Sequence, residues 1–256
     1  MIPMSSTDEK LFSKVPEVTL VFWLIKIAAT TLGETAGDAV SMSLNLGYLL
    51  GTGIFAVFFL AFVFAQIRAS RFHPFLYWAT IIATTTVGTT LADFADRSLG
   101  IGYAGGSLLL LGLLVASLAV WYRTLGSVSI DTVSSPKSEI FYWVTIMFSQ
   151  TLGTALGDWL ADTAGFGYLN SAALFGGLLA VVAALYFFTR ISHPALFWAA
   201  FILTRPLGAV LGDFFDKPQA QGGLALGRFS ASLVLLVFMV VCVLVFEQRA
   251  AKKTAP

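Results

Sequence analysis

Acidic side chains recur at one fixed place in four similar stretches of the chain. The stretches read LGETAGD, VGTTLAD, LGTALGD and LGAVLGD, and each ends in an aspartate, namely Asp38, Asp93, Asp158 and Asp213. All four follow long apolar runs, and an ionisable side chain at membrane depth is costly and by default marks a functional site. We therefore predict that these carboxylates bind a cation or carry a proton.

The first stretch differs from the other three because it adds a second acid. Glu34 stands where the others have Thr89, Thr154 and Ala209. A second carboxylate four residues before Asp38 lies on nearly the same side of a helix, which brings the two acids close together. We expect Glu34 to bind a proton and a metal ion alternately.

Two basic residues also lie deep within the apolar runs. Lys26 precedes Glu34 by two helical turns on one face, so Glu34 or Asp38 is its expected partner. Arg205 lies in the fourth stretch, and a repeat aspartate is its expected partner. For both bases the alternative is a structural ion pair that holds helices in register.

Further oxygen ligands surround the repeat aspartates. Asp96, Asp162 and Asp216 follow them closely, and such an acidic rim would raise the local concentration of cations. Hydroxyl groups are frequent in the same runs, although threonine there most often bonds back to its own helix. Oxygen ligands without thiolate or histidine suit Mg²⁺, Ca²⁺ or Mn²⁺. The alternative is that the repeat aspartates merely end helices at the water boundary.

The composition predicts an all-α integral membrane protein. Of the 256 residues, 57% are apolar and only 11% are charged, and the mean hydropathy is +0.85. Most apolar runs reach the roughly 20 residues that a helix needs to cross hydrocarbon, which favours helices over barrel strands. The net charge of +1 indicates no nucleic-acid partner, and the single cysteine, Cys242, excludes a disulfide framework.

The four stretches belong to a four-fold repeat in which every unit contains two apolar runs. Repeats 1 and 3 match at a spacing of 120 residues, and so do repeats 2 and 4. This predicts a polytopic protein with eight transmembrane helices, arranged as four tandem two-helix repeats in parallel orientation, with pseudo-four-fold or nested two-fold symmetry. The expected first helices are residues 17–40, 74–95, 138–160 and 194–214, and the second helices are 47–67, 102–122, 167–189 and 223–247.

Small residues spaced four apart predict that the first helix of each repeat lies innermost. Such pairs let helix backbones approach closely in lipid, and they are Gly33/Gly37, Gly88/Ala92, Gly153/Gly157 and Gly208/Gly212. Because each repeat aspartate directly follows the second small residue, we expect the four carboxylates to converge around the axis. An interfacial anchor is expected some 15 residues before each aspartate, at Trp23, Trp78, Trp143 and Trp198.

The chain divides into two membrane halves joined by a polar linker. Residues 17–123 hold repeats 1 and 2, residues 138–248 hold repeats 3 and 4, and residues 124–137 connect them. Polar tails are expected at residues 1–16 and 249–256. Lys and Arg concentrate on the side of the tails and linker, so the positive-inside rule predicts cytoplasmic termini, in the inner (plasma) membrane of a bacterium.

The four-fold pattern resembles that of a bacterial family of uncharacterised multi-spanning membrane proteins, over essentially the whole chain. That resemblance implies a fold and no activity. The motifs are also weakly similar to those of proton-coupled manganese or calcium exchangers, which read Glu-x-Gly-Asp followed by a basic residue. ETAGD has one residue more between Glu34 and Gly37, and Ala39 follows Asp38. Only the idea of helix-borne acidic motifs carries over, onto Glu34 and Asp38.

Other classes of protein fit parts of the pattern. ALGD and VLGD resemble the Gly-x-Gly-Asp motif of intramembrane aspartyl proteases and prepilin peptidases, but Thr35, Ala155 and Val210 replace the first glycine and no Tyr-Asp partner motif occurs. A non-transporting membrane scaffold or sensor explains the repeats equally well. Anion transport through Lys26 and Arg205 is a further alternative.

The prediction from sequence is a secondary carrier or channel for a cation, with a divalent ion such as Mn²⁺ as the first candidate. The ligands or proton carriers would be the four repeat aspartates and Glu34. We expect no enzymatic activity and no resident cofactor, because the ion would be the substrate. The partners would be the lipid bilayer and a small inorganic ion, and the oligomeric state is left open.

Overall fold

The fold consists of eight long helices and one short pair of strands. The computed structural model describes residues 12–100 and 102–252. Its helices are α1 (Leu20–Asp38), α2 (Gly47–Arg68), α3 (Pro74–Asp93), α4 (Tyr103–Leu125), α5 (Pro136–Asp158), α6 (Gly167–Phe188), α7 (His193–Asp216) and α8 (Arg228–Val245). The strands β1 (Phe12–Pro16) and β2 (Ala250–Lys252) pair in antiparallel orientation.

The predicted all-α membrane fold is confirmed. Seven of the helices are long and apolar enough to cross a membrane. The eighth, α5, is 23 residues long and occupies an equivalent place in its repeat, and its polar side chains, among them Ser149 and Gln150, lower its hydropathy. The protein is therefore a multi-pass membrane protein built from four two-helix repeats.

The first helices of the repeats form a closed inner ring. Helix α1 packs against α3, α3 against α5, α5 against α7, and α7 against α1. Each outer helix packs mainly on the inner helix of the following repeat, so that α2 lies on α3, α4 on α5 and α6 on α7. The last outer helix, α8, lies on α1 and closes the circle.

Close contacts along the inner ring explain the packing glycines. A side chain at any one of four equivalent glycines would collide with the next inner helix, at Thr85 for Gly33, at Gln150 for Gly88, at Arg205 for Gly153 and at Thr30 for Gly208. One turn further on, Gly37 faces Thr89, Gly157 faces Ala209 and Gly212 faces Glu34. Since only glycine leaves room for these neighbours, the seven glycines set how closely the inner helices approach.

The repeat aspartates lie inside helices rather than at helix ends. Helices α1, α3 and α5 each continue beyond their aspartate as a five-residue π-helical turn, over Ala39–Ser43, Phe94–Ser98 and Trp159–Thr163. Helix α7 continues beyond Asp213 to Asp216 without such a turn. The aspartates therefore do not end their helices, in contrast to the alternative of a helix stop at the water boundary.

Three of the four repeat tryptophans differ from the predicted interfacial anchors, whereas Trp23 is half-buried. Trp78, Trp143 and Trp198 are buried, and together with Phe22 they belong to one aromatic cluster at the end of the bundle where the inner helices begin. The rings of Tyr77 and Tyr142 contact Trp143, and their hydroxyl groups lie 2.7 Å apart. The reason is that these rings fill the space between inner helices, where they bury more surface than at a lipid interface.

The predicted tails and linker meet at this same end. Residues 1–11 and 253–256 of the tails lie outside the described residues, whereas β1 and β2 tie the remaining parts together. Ser13 Oγ donates to the carbonyl of Val133 in the linker at 2.9 Å. Lys14 Nζ lies 2.7 Å from Glu139 Oε1 at the start of α5. The linker between the halves is thus held against the N-terminal strand.

One helix begins later than the repeat spacing predicts. Helix α8 starts at Arg228, whereas the sequence pattern places its start near residue 223. The preceding Gly227 has φ +78°, like Gly102 with φ +76° before α4, so Gly227 rather than Gly222 occupies the equivalent position. The insertion forms a short 3-10 turn at Gln219–Gln221.

Candidate ion-binding site

The four repeat aspartates are buried near one end of the inner ring, where they form two pairs. Each is at most 2% exposed. Lys217 Nζ lies 3.0 Å from Asp38 Oδ2 and 2.9 Å from Asp213 Oδ1. One ammonium group thus bridges an aspartate of the first repeat and an aspartate of the last.

The second pair of aspartates is bridged by an arginine in the same way. Arg97 Nε lies 3.0 Å from Asp93 Oδ1, and Arg97 Nη2 donates to Asp158 Oδ2 at 3.1 Å. Arg97 and Lys217 each follow an aspartate by four residues and are equivalent in repeats 2 and 4. The two bridges between aspartates are therefore related by the two-fold repeat of the chain.

Lys217 keeps its positive charge at this site. Burial opposes the charge, but the carboxylates of Asp213 and Asp38 more than offset that effect, so the pKa of Lys217 is raised above its usual value. The two carboxylates therefore favour the cationic form of Lys217 as the bridge between them.

Glu34 forms an ion pair with Arg205 one turn below the aspartates. Arg205 Nη2 donates to Glu34 Oε2 at 2.9 Å and to Thr89 Oγ1 at 2.6 Å, and it also contacts Thr154 Oγ1. Arg205 is 0% exposed and Glu34 is 3% exposed. A repeat aspartate was the expected partner of Arg205. Glu34 takes that place because α7 packs beside α1 and brings Arg205 Nη2 to within 2.9 Å of the Glu34 carboxylate.

The predicted partner of Lys26 is also corrected. Lys26 Nζ makes no hydrogen bond within residues 12–100 and 102–252 and lies instead 4.1 Å from the centre of the Phe201 ring. Glu34 is eight residues further along α1, about 12 Å of helix rise, which exceeds the reach of an ion pair. The acids of α1 therefore have partners from α7 and the segment after it, not from their own helix.

Three carboxylates approach closely enough to share one cation. Glu34, Asp38 and Asp213 each offer an oxygen, and these oxygens all lie within 4.8 Å of one another. Oxygen ligands of Ca²⁺ lie at about 2.3–2.6 Å from the ion, so two ligands on opposite sides are up to about 5 Å apart. Asp93 and Asp158 are not members of this group and belong to the Arg97 pair.

The predicted acidic rim carries compensating charges. Arg228 Nε lies 2.7 Å from Asp216 Oδ2 and 3.5 Å from Asp38 Oδ2. Asp96 is buried beside Gly106, whereas Asp162 is exposed. The rim is thus not an open surface of like charges, because Arg228, the first residue of α8, reaches Asp216 and Asp38.

Most hydroxyl groups of the inner helices bond to their own helix, as expected for threonine. Thr31, Thr86 and Thr151 each donate to a carbonyl four residues earlier. Thr89 and Thr154 are different because their hydroxyl oxygens also accept hydrogen bonds from Arg205. These two are the hydroxyls of the inner ring that join the ionic cluster.

Several residues of this site were not predicted from sequence as site residues. Arg97, Lys217 and Arg228 lie at the end opposite the tails and linker, and each contacts a buried aspartate. Arg97 also donates to the hydroxyl groups of Tyr103 at 3.1 Å and Tyr48 at 3.5 Å. A basic residue four positions after the aspartate in repeats 2 and 4 is the sequence feature that could have revealed the bridges.

Fold and site together define a multi-pass membrane protein of four two-helix repeats with a buried ionic cluster on its axis. A family model described as a Repeat of Unknown Function (DUF347) matches residues 21–72, 76–127, 141–192 and 196–249. These matches cover most of the chain, and the protein belongs to this family. Neither the comparison with curated proteins nor the comparison with solved structures found a match.

Proposed function

We propose that this protein carries a cation across the membrane and that Glu34, Asp38 and Asp213 bind the ion. The observation that supports this most directly is the approach of three buried carboxylate oxygens to within 4.8 Å. Oxygen-only ligands favour a hard divalent ion, and Mn²⁺ is the first to test. The metal ion is the substrate in this proposal and not a resident cofactor.

Lys217 would compete with the transported ion for the carboxylates of Asp38 and Asp213. Its ammonium group occupies the position between Asp38 and Asp213, so a metal ion must displace it. With Arg205 and Lys217 in place, the three carboxylates retain one uncompensated negative charge. A divalent ion in place of Lys217 would leave the cluster neutral, which favours exchange of the two cations.

The proposed transport needs an ion gradient as its source of energy. The sequence contains no nucleotide-binding motif, and acidic groups below a membrane face suit exchange of a metal ion for protons or another ion. We place the protein in the plasma membrane of a bacterium with both termini in the cytoplasm, on the basis of its distribution of Lys and Arg. The site would then open toward the outside.

A non-transporting scaffold or sensor is the second candidate. One observation favours it: the four repeat aspartates and Glu34 all lie within 3.1 Å of a basic side chain. Such a network could serve only to hold the inner helices together. The two functions differ in whether a metal ion can replace Lys217.

Transport is tested with Mn²⁺ uptake into liposomes that contain the purified protein. Asp213→Asn should reduce the initial rate at least about tenfold, since it removes a ligand charge. Asp93→Asn is the matched control, because Asp93 also precedes a basic residue by four positions but lies outside the carboxylate triad. It should leave uptake within about twofold of wild type.

Lys217→Met provides the second measurement. This variant should raise the apparent affinity for Mn²⁺, because the competing ammonium group is absent. The measurement is the increase of the melting temperature at a given Mn²⁺ concentration, which should be larger than for the wild-type protein. Arg97→Met is its matched control and should not do so. Absence of uptake by the wild-type protein, together with equal responses of the two variants to Mn²⁺, would support the scaffold instead.

A further inference from the structure

Buried polar groups without partners lie deeper on the axis than the carboxylates. Lys26 Nζ, Ser149 Oγ, both amide atoms of Gln150, and Nε and Nη1 of Arg205 have no hydrogen-bond partner in the part of the chain that the structure describes. All four side chains are 0% exposed. Buried polar groups are nearly always satisfied in native proteins, so a group of this size calls for an additional partner.

These groups occupy two adjacent layers of the inner ring. Gln150 and Arg205 are equivalent residues of repeats 3 and 4, while Lys26 lies one turn, about 6 Å, toward the aromatic end. The layer of Lys26 is completed by its equivalents Ile81, Ile146 and Phe201, all of which are buried. The unpartnered donors therefore come from three inner helices and lie in two adjacent layers of the inner ring.

Basic side chains outnumber acidic side chains in this segment. Glu34 is the only acid that contacts Arg205 among the described residues, and it satisfies only Nη2. Lys26 has no hydrogen-bond partner among the described residues and forms no ion pair there. A buried ammonium group is strongly unfavourable without a counter-ion, so a protonated Lys26 requires an anion in this segment.

We propose that a small monovalent anion of about the size of chloride binds on the axis between Lys26, Gln150 and Arg205. The ammonium, amide and guanidinium groups all offer N–H donors, which suit an anion. One basic side chain without an acidic partner and a layer filled by isoleucine and phenylalanine favour a compact monovalent ion over phosphate or sulfate. This site contains none of the three carboxylates, although it shares Arg205 as the partner of Glu34, and it does not depend on the proposed cation transport.

The test compares chloride with gluconate, which is too large for the site, at equal ionic strength and equal sodium concentration. Chloride should raise the melting temperature of the detergent-purified wild-type protein in a saturable manner. Lys26→Met, which keeps the length of the side chain, should raise the half-saturating chloride concentration at least about tenfold. The exposed Lys137→Met is the matched control and should respond like wild type.

A second variant and a direct measurement test the anion site independently. Gln150→Leu removes a donor from a different helix and should also weaken the response to chloride, which covers the case that Lys26→Met does not fold. Bromide, located by its anomalous scattering in crystals, should appear beside Lys26. Equal melting temperatures in the two salts, or a Lys26→Met variant that responds like wild type, would show that water fills the segment. Asp213→Asn should keep the chloride response even where it abolishes Mn²⁺ uptake.

Discussion

A single guanidinium group connects all four inner helices. Arg205 belongs to α7, and its Nη2 contacts Glu34 on α1, Thr89 on α3 and Thr154 on α5. The pair of Arg205 and Glu34 is fully removed from solvent, so each residue depends on the other for compensation of its charge. Arg205 therefore positions Glu34 for the proposed ion site and also stabilises the ring.

Replacement of Arg205 should be strongly destabilising, and a second replacement should reverse the effect. Arg205→Leu leaves the carboxylate of Glu34 buried without a partner, and we expect a loss of about 3–5 kcal/mol in the free energy of unfolding. Arg205→Leu combined with Glu34→Leu should recover most of that loss, because Thr89 and Thr154 still bond to their own helices. Denaturation in detergent, followed by circular dichroism, measures both.

Arg68 is exposed, and Arg68→Leu is the control for the general effect of replacing an arginine by leucine. It should change the free energy of unfolding by less than about 0.5 kcal/mol. If the double variant were no more stable than Arg205→Leu alone, the ion pair would not be the reason for the loss.

The inner helices can form a ring because each presents packing glycines to its neighbour. We call the seven glycines described above, which face the next inner helix, the glycine seam. Equivalent glycines meet equivalent positions of the next helix around the whole circle, including the step from α7 back to α1. At that step Gly212 faces Glu34, so the packing of α7 also determines where the carboxylate lies. Close packing and the ionic cluster are thus two properties of the same interface.

Gly212→Ala should destabilise the protein and impair the site together. The added Cβ would lie 2.7 Å from Glu34 Cβ, and overpacking of this kind costs about 1–3 kcal/mol. Gly176→Ala in the outer helix α6 is the matched control, because nothing lies within 4 Å of its added Cβ. That control should be neutral or slightly more stable, by up to about 1 kcal/mol. Equal effects of the two substitutions on the melting temperature would contradict the role of the seam.

The repeat pattern in the sequence predicts where residues lie but not which residues meet. The spacing of the four stretches located the helices, the glycine seam and the layer of aspartates, because repetition copies positions along the chain. Partners depend on the closure of the ring, and Lys217 reaches Asp38 across 179 residues. Reasoning along one helix assigned Lys26 to Glu34, whereas the neighbouring α7 supplies Arg205 at that place. Pairings between the first and last repeats are therefore the part that sequence alone does not predict.

The whole bundle has two chemically different ends, and this leads to a prediction about its orientation. The linker and tails gather at one end, whereas the carboxylates and the turn at Gln219–Gln221 lie at the other. Cys242 is the only cysteine of the chain, so Cys242→Ser gives a background for single-cysteine labelling. In that background Ala220→Cys should react with a membrane-impermeant maleimide in intact bacteria. Thr132→Cys, in the linker, should react only after the cells are opened, because the excess of Lys and Arg keeps the linker end in the cytoplasm. The reverse pattern would place the carboxylates toward the cytoplasm, and labelling of both residues from one side would contradict the arrangement of the helices as membrane spans.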